Sequence, residues 1–556
     1  MGEWAPKLPR ALDFGESLLA RFGDAPPCTR LSRALRPVKI VLYQPQQSNK
    51  ERDGQSSLDM LPLELIHIAT WPREDGHECV LIDGSLYSQE EAHRRVVEEC
   101  ADAQVFATTG ILGWMVSDCY TCAEQVRAKA PHVKRVAGGW FASVMPDLYL
   151  REGVFDAVVL GQGEISFREL IEAWRTGSEL EEIPGLALWR DEAVHETAHR
   201  AVVGFDRLPQ PSWDLIDFQP YREGQMVAEA PKHYVRMPGP PWIGKKKPFV
   251  GITYFSSFGC PEPCTFCCSP FVTNRRWKAK PAEQILDDIE MLQDRWGKFD
   301  VVRFHDANFG VMEKRTKEFA EGLLKRGIKI GWNAFIETYS VNNYDLGTLD
   351  SCAESGYYVA EVGAETGDPQ TMKRVGKPIV GDANFEAAAR LHDRDIWASI
   401  TYIIGFPYEP EESMMATINQ ARRVQLRCPN SSTHVLPFRP IPGTAMYDQS
   451  LELGFEPPQD IHTWGNVGEY HLHQTWNQIP DRVMRSRALH NHYTTLYKGI
   501  ARQRYGVFEK LAGWRLKNDN MRFPIDAKIF GVVDRLERKL RRRNAPTMDL
   551  VDQAIG

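Results

Sequence analysis

The chain has 556 residues, 43% of them hydrophobic and 25% charged, with a net charge of −7 at neutral pH. At roughly 100 to 200 residues per domain, that supplies several apolar cores and excludes disorder as the main state. No apolar run reaches the length of about 18 residues that a span needs, the opening MGEWAPKLPR has no secretory pattern, and mild acidity argues against coating nucleic acid; a cytoplasmic chain with no membrane span and no nucleic-acid partner is expected.

After an N-terminal extension (residues 1–37), five short apolar runs end in small or polar residues: VKIVLYQP, ECVLIDG, QVFATTG, VKRVAGG and DAVVLGQGE. Helical stretches such as 90–99 and 117–129 separate them, which predicts a doubly wound, Rossmann-like parallel sheet over residues 38–180. Ligands bind such sheets beyond the strand C-termini, where this chain offers Gln44, Thr108, Thr109, Gly110, Gly138, Gly139, Gly161, Gln162, Gly163 and Glu164. No G-x-G-x-x-G follows the first run, so a dinucleotide site is not indicated. Cys119 and Cys122 form a C-x-x-C, but with Val126 and Ala130 they make the core stripe of a helix behind a Ser117/Asp118 cap. His77, in DGHECV, reads as a surface-turn residue.

Residues 181–246 read as a connector that ends in MPGPPWIGKKKP, a Pro- and Lys-rich loop expected over the mouth of the following domain. Next comes FGCPEPCTFC, in which Cys260, Cys264 and Cys267 stand as C-x3-C-x2-C. The eleven cysteines of the chain are odd in number and uneven in spacing, so a disulfide framework explains them poorly. A structural zinc site closes with a fourth ligand, and none follows nearby; a 4Fe-4S cluster held by three thiolates keeps one iron open. Around this loop, FVGITYF, VVRFHD, KIGWNAFIE, YVAEVGAE, WASITYIIG and THVLPF alternate with amphipathic stretches. Such alternation predicts parallel strands with right-handed crossovers, a partial (β/α)6 barrel over residues 247–448 with its chemistry at the C-terminal strand ends.

The three-cysteine spacing, with Phe266 before the last thiol, resembles the radical S-adenosylmethionine (radical SAM) family. The resemblance implies that S-adenosylmethionine chelates the open iron of the cluster and is cleaved to a 5′-deoxyadenosyl radical. It also implies that Glu365 in VGAETG contacts the adenosyl ribose or amino group, a helix N-terminal carboxylate being the other reading, and that Gly405 and Pro407 in IIGFP let adenine approach the backbone. Asp306 and Asn308 in HDANFG occupy the place where many relatives carry a glycine-rich acidic motif for the methionyl amine, although the glycine pair is absent here. Arg275, Arg276 and Lys280 are either partners of the S-adenosylmethionine carboxylate or exposed loop charges. The preceding AGG and GQGE strand ends resemble the cobalamin-binding domain fused to radical SAM enzymes. The D-x-H-x-x-G motif of histidine-ligated cobalamin is missing, so cobalamin is expected base-off with no histidine below cobalt.

Over about Val38 to Asp448 the chain is similar to the class that includes magnesium-protoporphyrin oxidative cyclase and class B methylases. That similarity implies methylation of an unactivated carbon, with an external flavodoxin- or ferredoxin-like reductase and a small-molecule or peptide substrate. An oxidative cyclase or rearrangement enzyme, and a non-enzymatic cluster and cobalamin carrier, are the other readings. Trp332, Asn333, Tyr402, His434 and Arg439 stand at or near barrel strand ends and are candidates for substrate contact. Residues 449–556 read as a mainly helical, aromatic and basic cover domain, with RLERKLRRR (535–543) as a solvated helix face.

Overall fold

The computed structural model describes residues 36–47, 58, 60–227, 240–243, 249–377, 382–467, 479–497 and 506–532. The N-terminal extension, most of the MPGPPWIGKKKP loop and the RLERKLRRR run lie outside the described residues. Two sheets organise the rest.

The first sheet begins with β1 (Lys39–Gln44), β2 (Glu78–Asp83), β3 (Val105–Thr109), β4 (Lys134–Gly138) and β5 (Ala157–Val159), all parallel, in the spatial order β2-β1-β3-β4-β5. Ile40, Val41, Leu42 and Tyr43 are fully buried because helices cover both faces, the setting in which a parallel strand reads as a continuous apolar run. The sheet does not end at β5. Part of the expected connector, β6 (Leu186–Arg190) and β7 (Ala193–Glu196), folds as an antiparallel hairpin onto β5 and extends the sheet to seven strands.

The second sheet is the barrel wall. It comprises β8 (Gly251–Tyr254), then, after the small antiparallel pair β9 (Ser257–Gly259) and β10 (Trp277–Ala279), β11 (Val301–Phe304), β12 (Gly331–Glu337), β13 (Tyr357–Glu365), β14 (Trp397–Ile404) and β15 (Ser431–Pro437). β8 and β11 to β15 lie side by side in chain order and all parallel. Each crossover carries a helix, including Ala282–Trp296, Glu313–Arg326, Leu346–Glu354, Ala383–His392 and Glu411–Arg427. β8 is an edge strand, and Gln225 covers it: its side chain accepts from Gly251 N (2.7 Å) and donates to Gly251 O (3.0 Å).

The C-terminal ends of the two sheets meet. Phe141, Ala142 and Tyr149 from the first domain share one apolar core with Met372, Val375, Phe406, Phe438 and Met446 of the second, and Phe266 of the cysteine loop packs against it. A Cβ on Gly161, at the exit of β5, would stand 3.4 Å from the carbonyl of Val272, in the short helix that follows the cysteines.

Candidate active site

The cysteine loop leaves β9 and enters the helix Ser269–Val272. Cys260 and Cys264 are buried and Cys267 half-buried, and Cys267 N–H donates to Cys264 O (3.4 Å). Burial pushes the Cys260 thiol up to about 12 and raises Cys264 and Cys267 as well. Thiols in such a place become thiolates only against a nearby positive charge, which iron supplies. Among the described residues, no three His, Cys, Asp or Glu side chains, the loop's own thiols included, are grouped closely enough to hold a single metal ion. Three thiolates on one loop are the donor set of a 4Fe-4S cluster with one open iron.

A buried charge cluster flanks the loop. Lys377 bridges Glu337, at the end of β12, and Glu365, at the end of β13 (3.3 Å to Glu365). Burial works against the lysine charge, but Glu365 and Glu337 outweigh it and raise the ammonium above its ordinary value; Cys264 acts in the same sense. Glu365 is itself buried, raised by burial against the pull of Lys377, and holds a left-handed backbone (φ 60°) beside a register shift in β13. The segment before Lys377 clasps the cysteine loop: Thr265 N–H donates to Val375 O (3.1 Å) and Thr265 Oγ to Arg374 O (3.2 Å). Gly376 has φ 79°, and a Cβ there would sit 2.5 Å from Pro263 O. Lys377 and Glu337 were not marked by the sequence; the only local signal is Gly-Lys in RVGKP.

Other expected S-adenosylmethionine contacts turn inward. Asp306 accepts from Ser256 N (2.7 Å), Ser256 Oγ (2.5 Å) and Ser257 Oγ (2.6 Å), so its carboxylate straps the exit of β11 to that of β8. Asn308 accepts from Gly310 N (3.1 Å) in a tight turn, leaving its buried Nδ2 without a partner. Gly405 has φ 83°, and its N–H donates to Glu409 (2.7 Å), as does that of Phe406 (3.1 Å). The Pro407 carbonyl accepts from Arg374. Lys280 is not a loop charge. It is buried against Asp288 and Tyr254 (2.7 Å each), where burial lowers its ammonium and Asp288 pulls the other way. Arg275 is exposed and donates to Pro261 O (3.2 Å).

The lumen is legible from strand alternation, because residues two apart share a face. On β12, Asn333, Phe335 and Glu337 form one set; Asn333 is buried with Oδ1 unpartnered, and Phe335 is 38% exposed. Asn333 is in register with Arg303 of β11, and Phe335 with Glu361 of β13, which lies in register with Ser399 of β14. Arg303 and Glu361 lie 3.5 Å apart, and Asn333 Nδ2 is also 3.5 Å from Glu361. His434, in register with Thr401, is half-buried, as is Arg439 beyond β15. Two candidates point elsewhere. Trp332 stacks on Tyr357 (4.0 Å) and donates to Ser355 Oγ (3.2 Å) in the core beneath the helices. Tyr402 is fully buried in the same layer, near Cys428 and Arg423. Both take the opposite face of the pleat from the lumen. Arg303 and Glu361 were missed, although a charge inside an otherwise apolar parallel strand was a usable signal.

In the first domain, Gln44 ends β1 with a buried, unpartnered Oε1. Thr108 is committed to the Tyr43 carbonyl (3.0 Å), and Thr109 is buried beside it. Gly138 and Gly139 end β4; Gly139 has φ 90°, and a Cβ there would meet Thr109 Oγ at 2.6 Å and Gly110 O at 2.7 Å. Gly110 packs against Tyr149 and Val116 and Gly161 faces the Val272 carbonyl, while Gly163 packs on Val159 and Ile68. This glycine-lined edge with an orphan amide oxygen fits a flat polar ligand such as cobalamin. Gln162 ties the connector down by accepting from Val203 N (2.7 Å). Glu164 is buried at the start of the helix Glu164–Thr176, and burial lifts its carboxyl to about 7.

Two readings of this domain need correction. His77 is buried: Nδ1 accepts from Val38 N (3.2 Å) and Nε2 meets Glu172 (2.8 Å), at the end of β1 opposite the glycine rim. Ser117 and Asp118 do not cap their helix, which starts at Trp114 after Gly113; Asp118 is a fully buried acceptor inside it. Cys119 and Cys122 are buried core, as expected.

Residues 254–421 match the model of the radical SAM superfamily, and residues 54–171 that of the B12 binding domain. An uncharacterised methyltransferase of Pyrococcus horikoshii is 26% identical over 392 residues, 70% of this chain and 78% of that protein. The hopanoid C-3 methylase of Methylococcus capsulatus is 24% identical over 62% of this chain and 61% of its own. The fold is shared with OxsB, a cobalamin-dependent S-adenosylmethionine radical enzyme (TM-score 0.66, 16% identity, 87% of this chain, 72% of that one). It is shared too with the radical methyltransferase TsrM of Kitasatospora setae (TM-score 0.59, 14% identity, 87% of this chain, 100% of that one). With a cluster barrel and a B12-binding sheet joined at their ligand-binding ends, the chain belongs to the cobalamin-dependent radical SAM enzymes.

Proposed function

We propose that this enzyme is a methyltransferase acting on an unactivated carbon of a small-molecule or peptide substrate. The observation that carries the proposal is the shared core at the strand ends, which sets the three thiols and the glycine rim on either side of one junction. A 4Fe-4S cluster, S-adenosylmethionine and cobalamin together supply radical hydrogen abstraction and methyl transfer, chemistry that acid or base groups cannot perform on a saturated carbon. The chain's own work is to hold and orient. Cys260, Cys264 and Cys267 anchor the cluster, and the clasp at 374–377 fixes their loop. Lys377 balances the two carboxylates, so that Glu365 can face the nucleoside without leaving an unpaired buried charge. Arg303, Asn333, Phe335, Glu361 and His434 line the lumen and select the substrate. Gln44, Gly110, Gly138, Gly139 and Gly161 would hold cobalamin, which would supply the methyl group. Electrons come from an external flavodoxin- or ferredoxin-like reductase.

The test uses anaerobic protein made with cobalamin available. Under reduction the native chain forms 5′-deoxyadenosine, while Cys264→Ala loses the cluster and all cleavage but keeps the cobalamin spectrum. Retained cleavage in that variant overturns the site. Methylation further requires S-adenosylhomocysteine beside 5′-deoxyadenosine when substrate is supplied; turnover without S-adenosylhomocysteine would replace methylation by oxidation or rearrangement.

A further inference from the structure

Among the described residues, a dense run of exposed apolar side chains lies far from the cofactor junction in sequence, within residues 506–532. Val507, Leu511 and Trp514 are 71%, 39% and 51% exposed and repeat at helical spacing on the outer face of the helix Gly506–Asn518. Beyond it, Phe523, Ile525, Ile529 and Val532 are 81%, 63%, 51% and 48% exposed. Single exposed apolar residues need no explanation, but seven within 27 positions do.

The presentation is built rather than frayed. Phe523 is held in the left-handed region (φ 48°), a conformation that costs a bulky residue energy. Arg515 fixes it there. Its guanidinium donates to the carbonyls of Asn520 (2.9 Å), Arg522 (2.9 Å) and Phe523 (3.0 Å), and is itself anchored on Asp526 (2.6 and 2.9 Å). The opposite face is ordinary core: Ala512, Leu516, Ala527 and Phe530 pack with Tyr493 and Tyr497.

Cations outnumber anions here. Of the three carboxylates, Asp526 pairs with Arg515 and the exposed Asp519 with Arg422 (3.3 Å), and Glu509 is the third. Lys510, Lys517, Arg522 and Lys528 are exposed and have no ion-pair partner among the described residues. Apolar side chains including Trp and Phe, interleaved with four unpaired cations against three carboxylates, two of them already paired, complement an anionic apolar-cored layer. A second copy would set like charges against like, and residues 533–556 carry six Lys or Arg against four Asp or Glu, so neither is a net anionic partner. No helix among the described residues is long and apolar enough to cross a membrane.

We propose that residues 506–532 dock the enzyme onto an anionic lipid bilayer, with Trp514, Phe523 and Ile525 inserted at headgroup depth and Lys510, Lys517, Arg522 and Lys528 meeting lipid phosphates.

The test is co-sedimentation of the full-length holoprotein with phosphatidylcholine vesicles, with and without phosphatidylglycerol. Binding is expected only with phosphatidylglycerol and weakens as salt rises. Replacing Lys510, Lys517 and Lys528 by Gln together weakens it by roughly a hundredfold, at about fivefold per cation. Trp514→Ser with Phe523→Ser abolishes it, while S-adenosylmethionine cleavage, which these residues do not touch, is unchanged. Absence of binding to either vesicle overturns the proposal, as does binding insensitive to both variants. A dimer in sedimentation velocity that the double serine variant dissolves would also overturn it, making the occupant a second copy.

Discussion

Asp118 shows what one residue does for the first domain. Its carboxylate accepts from Tyr43 Oη (2.7 Å), Gln46 N (2.8 Å) and Gln89 Nε2 (2.6 Å) and meets His93 Nε2 at 2.9 Å, all in the core. It thereby fixes the chain just past β1, beside Gln44, to two helices. Asp118→Ala leaves these groups unpaired, so a loss of about 3–5 kcal/mol is expected. Urea unfolding of the two proteins should show it as a lower midpoint, with Asp118→Asn falling between. The sequence placed this residue at a helix cap because Ser-Asp before an apolar stripe is a local cap signal, whereas its partners stand 25 to 75 residues away. His77 failed in the same way, since its partners Val38 and Glu172 are 39 and 95 residues distant. The three cysteines were legible because their meaning lies wholly in their spacing.

At the scale of elements, periodicity carried the parallel strands and their helices, as local patterns should. The hairpin β6–β7 escaped because its turn is Asp191-Glu192, both at positive φ (49° and 62°), a backbone usually announced by Asn-Gly. The clasp at 374–377 escaped for another reason: it acts on a loop more than a hundred residues away (Thr265 to Arg374, 109). Gly376 is its critical position. Gly376→Ala puts a Cβ against Pro263 O on a backbone already at φ 79°, a cost of about 1–3 kcal/mol paid by letting the clasp slip from the cysteine loop. Iron should then leave the variant several times faster than the native enzyme under an anaerobic chelator, at equal cobalamin content. Equal rates would show that the clasp has no hold on the cluster loop.

Across the whole molecule, burial of histidine sets the response to acid. His67 and His305 are driven down to about 3, and His490 and His492 to about 4, in each case chiefly by burial; cations at Lys280, Arg303 and Arg422 press the first three further down. Each stays neutral in the fold but takes a proton near 6.5 once unfolded. The unfolded chain therefore binds more protons below that value, so stability is full above pH 6.5 and falls as pH drops toward the folded values. The slope is about 1.4 kcal/mol per pH unit for each histidine. Buried carboxyls tilt the other way: Glu164, lifted to about 7, favours the fold at low pH between its ordinary value and about 7, and Glu64, Asp306, Glu361, Glu365 and Glu409, raised chiefly by burial, act in the same sense. Two of the four histidines lie on the helix Asp481–Leu496 that packs against β15. Through these four imidazoles the urea midpoint, followed by circular dichroism without oxygen, should fall from pH 7 to 5.5. His490→Gln keeps a donor near Thr433 but cannot titrate, and should flatten that fall by about one histidine's share. An unchanged slope would place the acid sensitivity in groups other than the buried imidazoles.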